Sequence, residues 1–479
     1  MFKVGDKWIT EKDIRRIKED KDNYDLFEGE HWEVFKYDTI ARLKLGFQVT
    51  DEGFFTNMMN GKLVSTGVNA ESFFISENIL GECTDTYTTL TLSEMPELTS
   101  ETNQAFIDEM SYDIGFHDML LESANRQSAI GWAAVKTRLV DDEIEIELLD
   151  NEHIFIIPQS DNRNKIDYIL YAYKIEEETS NKKTVTLVTE EHYVDKIIYV
   201  NYLIENDTVK AIIPQTADGT HPERYYEDNY SWEENTTGYR LIQILNNTKS
   251  DGILADTDYT DTAVSSQREY AIRGTQTAIS MDKTLNPTLQ APEGLFTKNP
   301  ATGKMEANIV GKAIPTAEGD KEVKYVEYNG NYDIIMEYKK TLRSDIYREM
   351  GVAPIVFEIG SGVTIPSGSA MRKALFRTIA ETKKKQTQMS TLINNVLNIA
   401  YSLKYNAELG RVGIKWHDIM PLDALEMAQI VNTRTGNKPT MAQIEGIMVL
   451  DGKTEEQARQ SINEINNNIK DVGGVNANG

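Results

Sequence analysis

Hydrophobic and polar positions follow two different periods in the first half of the chain. Residues 10–26 carry dense charge of both signs after a Thr-x-x-Asp pattern, which predicts a capped, exposed helix. Residues 100–132 place apolar side chains such as Phe106 and Met110 near one face, which predicts a second helix. From there to about residue 214, short alternating segments are separated by turn-forming clusters, which indicates antiparallel strands. We therefore expect an α+β domain in the first half.

Two helical patterns separated by a turn-rich insertion come next. The first covers about residues 256–283 and ends before Pro287, and the second covers residues 332–350 with one apolar stripe. Between them, residues 286–330 hold four of the twelve prolines, with short strands possible at "ANIVGKAI" and "EVKYVEY". The pattern predicts two helices that bracket a small domain.

The longest helical pattern starts after a loop, residues 351–368, that is rich in proline and glycine. From Ser369 to about Lys404 there is no proline or glycine, which predicts one helix of roughly 55 Å at 1.5 Å per residue. Its apolar side chains share an arc of roughly 100°. We expect Gly368 to allow a sharp turn and Ser367 or Ser369 to cap the helix. Short helices are expected over residues 421–433, 440–450 and 454–469.

The start of this long helix is basic, although the chain as a whole is acidic. Residues 366–385 hold six basic residues against one acid, Glu381, in a chain of net charge −26 with 76 acidic side chains. Five of the six share a second arc, interrupted only by Phe376, and are called here the basic arc: Arg372, Lys373, Arg377, Lys383 and Lys384. The overall charge argues against a tight, general nucleic-acid binder, because such affinity comes from lysine and arginine.

Motifs of enzymes, cofactor sites and membrane segments are missing from the sequence. There is no phosphate-binding Gly-x-x-x-x-Gly-Lys loop, dinucleotide fingerprint, zinc-protease motif or nucleophile elbow, and the six histidines are scattered. The lone Cys83 excludes an internal disulfide or a cysteine-cluster metal site, and we expect it to be buried. No apolar run reaches the roughly 18 residues of a membrane helix, and no signal peptide is evident. We expect a cytosolic protein with no catalytic residues, metal or cofactor.

Several segments, taken in order, resemble a tailed-bacteriophage portal protein of the type found in siphophages of Gram-positive hosts. They are "NYDLFEGEH" at residues 23–31, "GVAP" at 351–354, "SGSAMRKALF" at 367–376 and "WHDIMPLDALEMAQIVN" at 416–432. The most specific piece is Ser-Gly-x-Ala-hydrophobic, where Met371 stands at a position that is often leucine in the family. Two alternatives stay open: an acidic α+β enzyme with an unrecognised site, and a helical adaptor or scaffold protein of another assembly.

The resemblance implies a non-enzymatic ring, typically a dodecamer, at one capsid vertex, through which double-stranded DNA is packaged and later ejected. It implies as partners the terminase large subunit, a head-tail adaptor protein, and the major capsid and scaffolding proteins, with assembly in the host cytoplasm and no membrane. The regions that it implies are a wing (1–237), a first stem helix (238–285), a clip (286–331), a second stem helix (332–350), a tunnel loop region (351–368), a long helix returning to the wing (369–419) and a helical crown (420–479).

Candidate site residues follow from this correspondence. DNA-channel candidates are Val352, Pro354, Glu358, Ser361, Thr364, Ser367, Arg372, Lys373, Arg377 and Lys384, and clip candidates for partner binding are Pro292, Phe296, Lys298 and Lys304. The basic arc then has two interpretations. It contacts passing phosphates weakly, or it pairs with acids of a neighbouring subunit, which the excess of acidic residues favours.

Overall fold

The structure of the chain is a computed structural model that describes residues 1–59, 62–113, 115–179, 182–216, 223–248, 252–285, 288–292, 296–298, 305–307, 312–316, 324–325, 332–358, 368–419, 431–435, 441–451 and 453–463. The chain divides into two compact units. Unit 1 takes Met1–Pro354 and Arg377–His417, and unit 2 takes Ile355–Phe376 and Asp418–Gly479.

Helices and strands occur largely in separate runs along the described chain, as is typical of an α+β fold. The helices are α1 (Glu11–Glu28), α2 (His31–Lys44), α3 (Ile79–Leu92), α4 (Gln104–Asp113), α5 (Phe116–Ala129), α6 (Asp261–Leu285), α7 (Tyr332–Met350), α8 (Ile355–Glu358), α9 (Gly368–Ala374), α10 (Phe376–Tyr405) and α11 (Gln443–Asp451), and residues 455–463 are also helical. The strands are β1 (Phe54–Met59), β2 (Lys62–Asn69), β3 (Glu97–Thr99), β4 (Trp132–Val140), β5 (Glu143–Leu149), β6 (Ile154–Pro158), β7 (Ile166–Thr179), β8 (Lys182–His192), β9 (Lys196–Glu205), β10 (Thr208–Ile213), β11 (Tyr225–Glu227), β12 (Tyr230–Glu234), β13 (Ile242–Asn246), β14 (Thr288–Pro292), β15 (Phe296–Lys298), β16 (Met305–Ala307), β17 (Lys312–Thr316), β18 (Lys324–Tyr325) and β19 (Gly413–Lys415).

The helices of the first 130 residues test two of the sequence predictions. The capping box before α1 is confirmed, because Thr10 Oγ1 accepts from the Asp13 amide and the Asp13 carboxylate accepts from the Thr10 amide. The helical block expected over residues 100–132 is confirmed in part: it consists of two helices, α4 and α5, and Gly115 before α5 adopts a left-handed φ of 62°. An ordinary helix does not continue through that conformation.

Antiparallel sheets dominate the first half, as the alternating pattern predicts. A seven-stranded sheet runs in the order β11-β12-β9-β8-β7-β6, with β10 paired to β9. Its core includes Leu187, Val200 and Tyr202, packed against Trp8 near the N-terminus. A second sheet, β13-β4-β5, shares a core with α4, α5 and α10. Residues 242–246 therefore form a sheet strand, although the resemblance placed them in the first stem helix.

The helix, insertion and helix pattern is confirmed. Helices α6 and α7 pack against each other. The described residues between them form five short strands, in which β14 pairs in parallel with β17 and antiparallel with β18. Leu342 and Ile346 of the predicted apolar stripe are buried on α7.

The prediction for the longest helix is correct about its apolar face and wrong about its continuity. Met389, Ile393 and Val396 of α10 are buried in the core with α4 and α5, as predicted. The helix is interrupted at Leu375, which separates α9 from α10. α10 has 30 residues, so it is roughly 45 Å long rather than 55 Å. Most of the predicted helix at 421–433 lies outside the described residues, whereas α11 and helical residues 455–463 match the two later expectations.

Candidate functional site

A buried ion pair joins α10 to the segment that leads into α6. Lys385 Nζ lies 2.6 Å from Asp258 Oδ2 and donates to Asn247 Oδ1 at 2.9 Å. Asp258 also accepts from Ser128 Oγ at 2.7 Å and from Asn247 Nδ2 at 2.9 Å. Burial alone would raise the pKa of Asp258, but the Lys385 charge and these hydrogen bonds hold it below its usual range. Both charges are therefore compensated within unit 1.

Tyr87 of α3 connects this ion pair to the end of α7. Lys385 Nζ lies 5.2 Å from the centroid of the Tyr87 ring, and the Tyr87 hydroxyl donates to the Met350 carbonyl at 2.8 Å. Met350 is the last residue of α7, so its carbonyl has no partner within the helix and needs a donor from elsewhere. The junction defined by Lys385, Asp258, Asn247, Ser128 and Tyr87 thus holds α6, α7 and α10 together.

The first turns of α10 are also bonded directly to the end of α7. Arg377 Nη1 donates to the Arg348 carbonyl at 2.8 Å. Thr378 Oγ1 donates to the Gly351 carbonyl at 3.2 Å and accepts from the Ala353 amide at 3.0 Å. Gly351 has a φ of 75°, and a Cβ there would lie 3.0 Å from the Tyr87 hydroxyl. Glycine is therefore required where the chain leaves α7.

Several basic side chains of residues 366–385 are already engaged in contacts within the chain. Lys385, counted with the basic residues of this segment, is buried in the junction and cannot reach DNA. Arg377 bonds a backbone carbonyl of its own chain, and Lys384 pairs with Glu381 of the same helix at 2.9 Å. Lys373 and Lys383 are exposed and form no ion pair with another described residue. Arg372 and Lys373 lie on α9 in unit 2, whereas the other three members of the basic arc lie on α10 in unit 1.

The remaining channel and clip candidates have mixed outcomes. Val352 is only 2% exposed, so its side chain is unavailable to line a channel in this conformation, and that expectation is wrong. Pro354 is exposed, and Glu358 ends α8. Ser361, Thr364, Ser367 and Lys304 lie outside the described residues. α9 begins at Gly368 and contains Ser369. Pro292 ends β14, and Phe296 and Lys298 bound β15.

Sequence reasoning missed the junction, although one signal for it was present. Lys385 lies four residues before Met389 on the helix, which places its charge on the apolar face rather than in the basic arc. A lysine at such a position predicts a buried acidic partner. The partner, Asp258, is 127 residues away in sequence, and no local pattern identifies it.

Metal and membrane features are absent from the part of the chain that the structure describes. There, no group of three or more histidine, cysteine or carboxylate side chains is arranged to hold a metal ion. Among the same residues, no helix combines the length and the apolar character needed to cross a bilayer. Cys83 is buried, as expected.

Comparisons with known proteins give one strong match. The model of a family described as "Phage portal protein, SPP1 Gp6-like" matches residues 6–471. No curated protein sequence matches the chain. Among solved structures, a chain of "Virion of native gene transfer agent (GTA) particle" is 13% identical with a TM-score of 0.44, covering 86% of this chain and 98% of that chain. A chain of "Neck of empty GTA particle computed with C6 symmetry" is 12% identical with a TM-score of 0.43, covering 78% of this chain and 89% of that chain.

Proposed function

The chain belongs to the SPP1 Gp6-like family of phage portal proteins, and we propose that twelve copies of it form a ring around a channel for double-stranded DNA at one vertex of the capsid. The observation that carries this proposal is a family match over almost the entire chain, residues 6–471. DNA enters through this channel during packaging and leaves through it during ejection. The subunit has a structural role and no catalytic activity of its own.

The described elements support an assignment of regions. The wing comprises residues 1–237 together with β13, because β13 pairs with β4. The stem is the α6/α7 hairpin, and the strands between these helices form the clip. The tunnel loop region covers residues 351–368, the long helix that follows it returns to the wing, and residues 420–479 form the crown.

The clip and the wing contact different partners in this proposal. The terminase large subunit, and afterwards the head-tail adaptor protein, bind the clip near Pro292, Phe296, Lys298 and Lys304. The major capsid protein and the scaffolding protein contact the wing. Assembly takes place in the host cytoplasm without a membrane. Because the sequence lacks a phosphate-binding loop, the energy for packaging comes from the separate terminase motor.

Within the basic arc, Lys373 and Lys383 are the side chains best suited to contact an external anion. The contacts of Arg377 and Lys384 within the chain leave these two as exposed cations without a described ion pair. We assign them weak contacts, either with DNA phosphates or with acids of the neighbouring subunit. Pro354, Glu358, Ser361, Thr364, Ser367 and Arg372 remain the other channel candidates.

The mass and shape of the purified protein test the ring. Multi-angle light scattering should give a species of about twelve times 54.3 kDa, and negative-stain microscopy should show an axial hole. A monomer at every concentration would overturn the proposal. A ring of eleven or thirteen subunits would support it, because subunit number in cyclic assemblies depends on small changes of the interface angle.

Charge reversal separates the two roles of the exposed lysines. A Lys373→Glu, Lys383→Glu double variant should still form rings if the lysines contact DNA, and phage carrying it should package or retain less DNA. If the lysines pair with a neighbouring subunit, ring formation itself should decrease. Lys415→Glu on β19, outside the α6/α7 hairpin and 81% exposed in the native chain, is the matched control. Normal rings with normal DNA content would reject both roles.

A further inference from the structure

A small cavity of unit 1 is bordered by α1, α5 and the turn that follows β5. Its volume is about 200 Å³, which is the space of roughly six or seven water molecules. Ile17, Tyr24 and Ile130 supply an apolar wall, and the charged residues of the lining are four carboxylates and two cations. This mixture suits a small molecule that has a hydrocarbon part and polar ends.

The cation of α5 at this cavity is already engaged by the chain. Arg126 donates to the Leu149 carbonyl at 2.8 Å and to Glu122 at 3.2 Å, and its Nη2 lies 3.5 Å from Asp150 Oδ1. These contacts use Arg126 on acceptors of its own surroundings. The guanidinium therefore contributes little to the charge balance of the other carboxylates in the lining.

Asp20 of α1 has a carboxylate that is only partly compensated. Its side chain is 13% exposed, and Oδ2 accepts from Arg16 Nη1 at 3.0 Å. Arg16 also donates to the backbone carbonyls of Asn151 and Ile154. Burial has the largest effect on this carboxyl and raises the pKa of Asp20 to about 6, although Arg16 acts in the opposite direction. A further positive group at the cavity would stabilise the ionised form.

Asp25, which lines the same cavity, also has more negative charge than its surroundings balance. Its side chain is half-buried and forms no hydrogen bond with another residue that the structure describes. Lys21 at the edge of the cavity lowers the pKa of Asp25, but burial raises it more, so the pKa stays above its usual value. The cavity thus has a second carboxylate that a bound cation would stabilise.

Asn151 gives independent evidence that a hydrogen-bond donor is missing. It lines the cavity and is 6% exposed. Its Nδ2 donates to the Trp132 carbonyl at 3.1 Å, whereas its Oδ1 has no hydrogen-bond partner within the described part of the chain. Buried amide oxygens are normally hydrogen-bonded, so a donor on a bound molecule would account for this one.

We propose that this cavity binds a short aliphatic diamine. Asp20, Asp25 and Asn151 Oδ1 hold the two ammonium groups, and the carbon chain packs against the apolar wall. A diamine matches the lining better than one metal ion does, because the acceptors come from two separate elements, α1 and the turn after β5, with hydrocarbon between them. The site lies within one subunit, so binding does not require the proposed ring.

Isothermal titration of the purified full-length chain with 1,4-diaminobutane tests the site. At about pH 8 the Asp20 carboxyl is ionised, and at about 0.15 M salt general attraction to an acidic surface is screened. We expect saturable binding of one diamine per subunit and no binding of 1,4-butanediol, which has the same length without charge. Heat that never saturates would show counter-ion binding only and would overturn the proposal.

Loss of single charges locates the binding. Asp25→Asn should raise the Kd of the diamine roughly tenfold or more, because a charge-assisted contact is lost. Glu143→Gln, at an exposed position of β5 outside the cavity, removes the same charge and should leave the Kd unchanged. An equal effect of the two substitutions on the Kd would overturn the proposed site.

Asp20→Asn should weaken binding as well, but it also breaks the pair with Arg16, so circular dichroism must show that the variant is folded. If it is not folded, Asp25→Asn decides, because its side chain has no hydrogen bond to lose among the described residues. Competition with magnesium chloride separates the diamine from a general cation. Mg²⁺ at equal concentration should not displace the diamine, and complete displacement would overturn the proposed ligand class.

Discussion

At the scale of single residues, the buried Lys385 and Asp258 pair determines how the basic segment behaves. A charge that loses its partner in the interior remains desolvated without compensation, and breaking a buried pair typically costs about 3–5 kcal/mol. The side chain of Lys385 is 4% exposed and that of Asp258 is 10% exposed, so solvent screens neither of them effectively. Among the basic residues of 366–385, Lys385 is therefore the one that we expect to contribute most to stability, and it is too buried to bind DNA.

We predict that Lys385→Met lowers the free energy of unfolding by about 3–5 kcal/mol, because it leaves the Asp258 carboxylate buried and unpaired. Urea denaturation followed by circular dichroism measures the change. Lys384→Met removes only the exposed pair with Glu381 and should change stability by less than about 1 kcal/mol. Equal denaturation midpoints for the two variants would show that the junction does not contribute as argued.

A second buried cluster, Glu190 with Lys136 and His192, makes stability depend on pH. Glu190 Oε2 lies 2.6 Å from Lys136 Nζ and accepts from His192 Nε2 at 2.9 Å. Burial would raise the pKa of Glu190, but the His192 hydrogen bond and the Lys136 charge lower it to about 2, and burial lowers the pKa of His192. The unfolded chain therefore binds more protons at both positions, and stability falls as pH decreases.

The His192 contribution should disappear first on acidification, below about pH 6.5, and that of Glu190 below about pH 4.5. His192→Gln removes the first of these steps, so its thermal midpoint should fall less than that of the wild type between about pH 7 and pH 5. His417→Gln, at an exposed position, should behave as the wild type does. A His192→Gln variant with an unchanged pH profile would exclude His192 as the cause.

At the scale of elements, sequence patterns predicted the helices and strands that have a regular apolar face. The antiparallel strands, the α6/α7 hairpin and the apolar face of α10 each show apolar residues that repeat at one regular spacing. Such a repeat is visible within a short stretch of sequence. The breaks were missed, because no proline or glycine marks the stop at Leu375, and the separation of α4 from α5 is accompanied by a left-handed conformation of Gly115 that the sequence does not specify. The junction was missed for a related reason, since Ser128, Asn247, Asp258 and Lys385 are distant in sequence.

At the same scale, Thr378 connects α10 to the residues that follow α7 through two hydrogen bonds. Removal of its hydroxyl should destabilise the packing of these two helices. In Thr378→Ala the Ala353 amide loses its acceptor and the Gly351 carbonyl loses its donor, at a cost of about 1–3 kcal/mol. Hydrogen exchange should increase at residues 351–354 and in the first turn of α10. Thr387→Ala, at an exposed position of the same helix, should leave exchange unchanged there. Identical exchange in both variants would contradict this role.

At the scale of the whole molecule, the net charge of the chain limits how the proposed ring would interact with DNA. Twelve copies would carry 12 × −26 = −312 in formal charge, so long-range electrostatics oppose tight binding of a polyanion. We predict no retention of linear double-stranded DNA by purified rings at about 0.15 M salt in a filter-binding assay, where the Debye length is about 8 Å. Sub-micromolar binding under these conditions would contradict a low-affinity channel.

The junction also has a mechanical consequence. Helices α6, α7 and α10 each have an end or a turn fixed to the same few side chains, so a tensile load on one of them is shared with the other two. A helix anchored by itself unravels turn by turn under tension, whereas a shared anchor fails in one event. Stretched between optical traps, the subunit should therefore lengthen by all three helices in a single step.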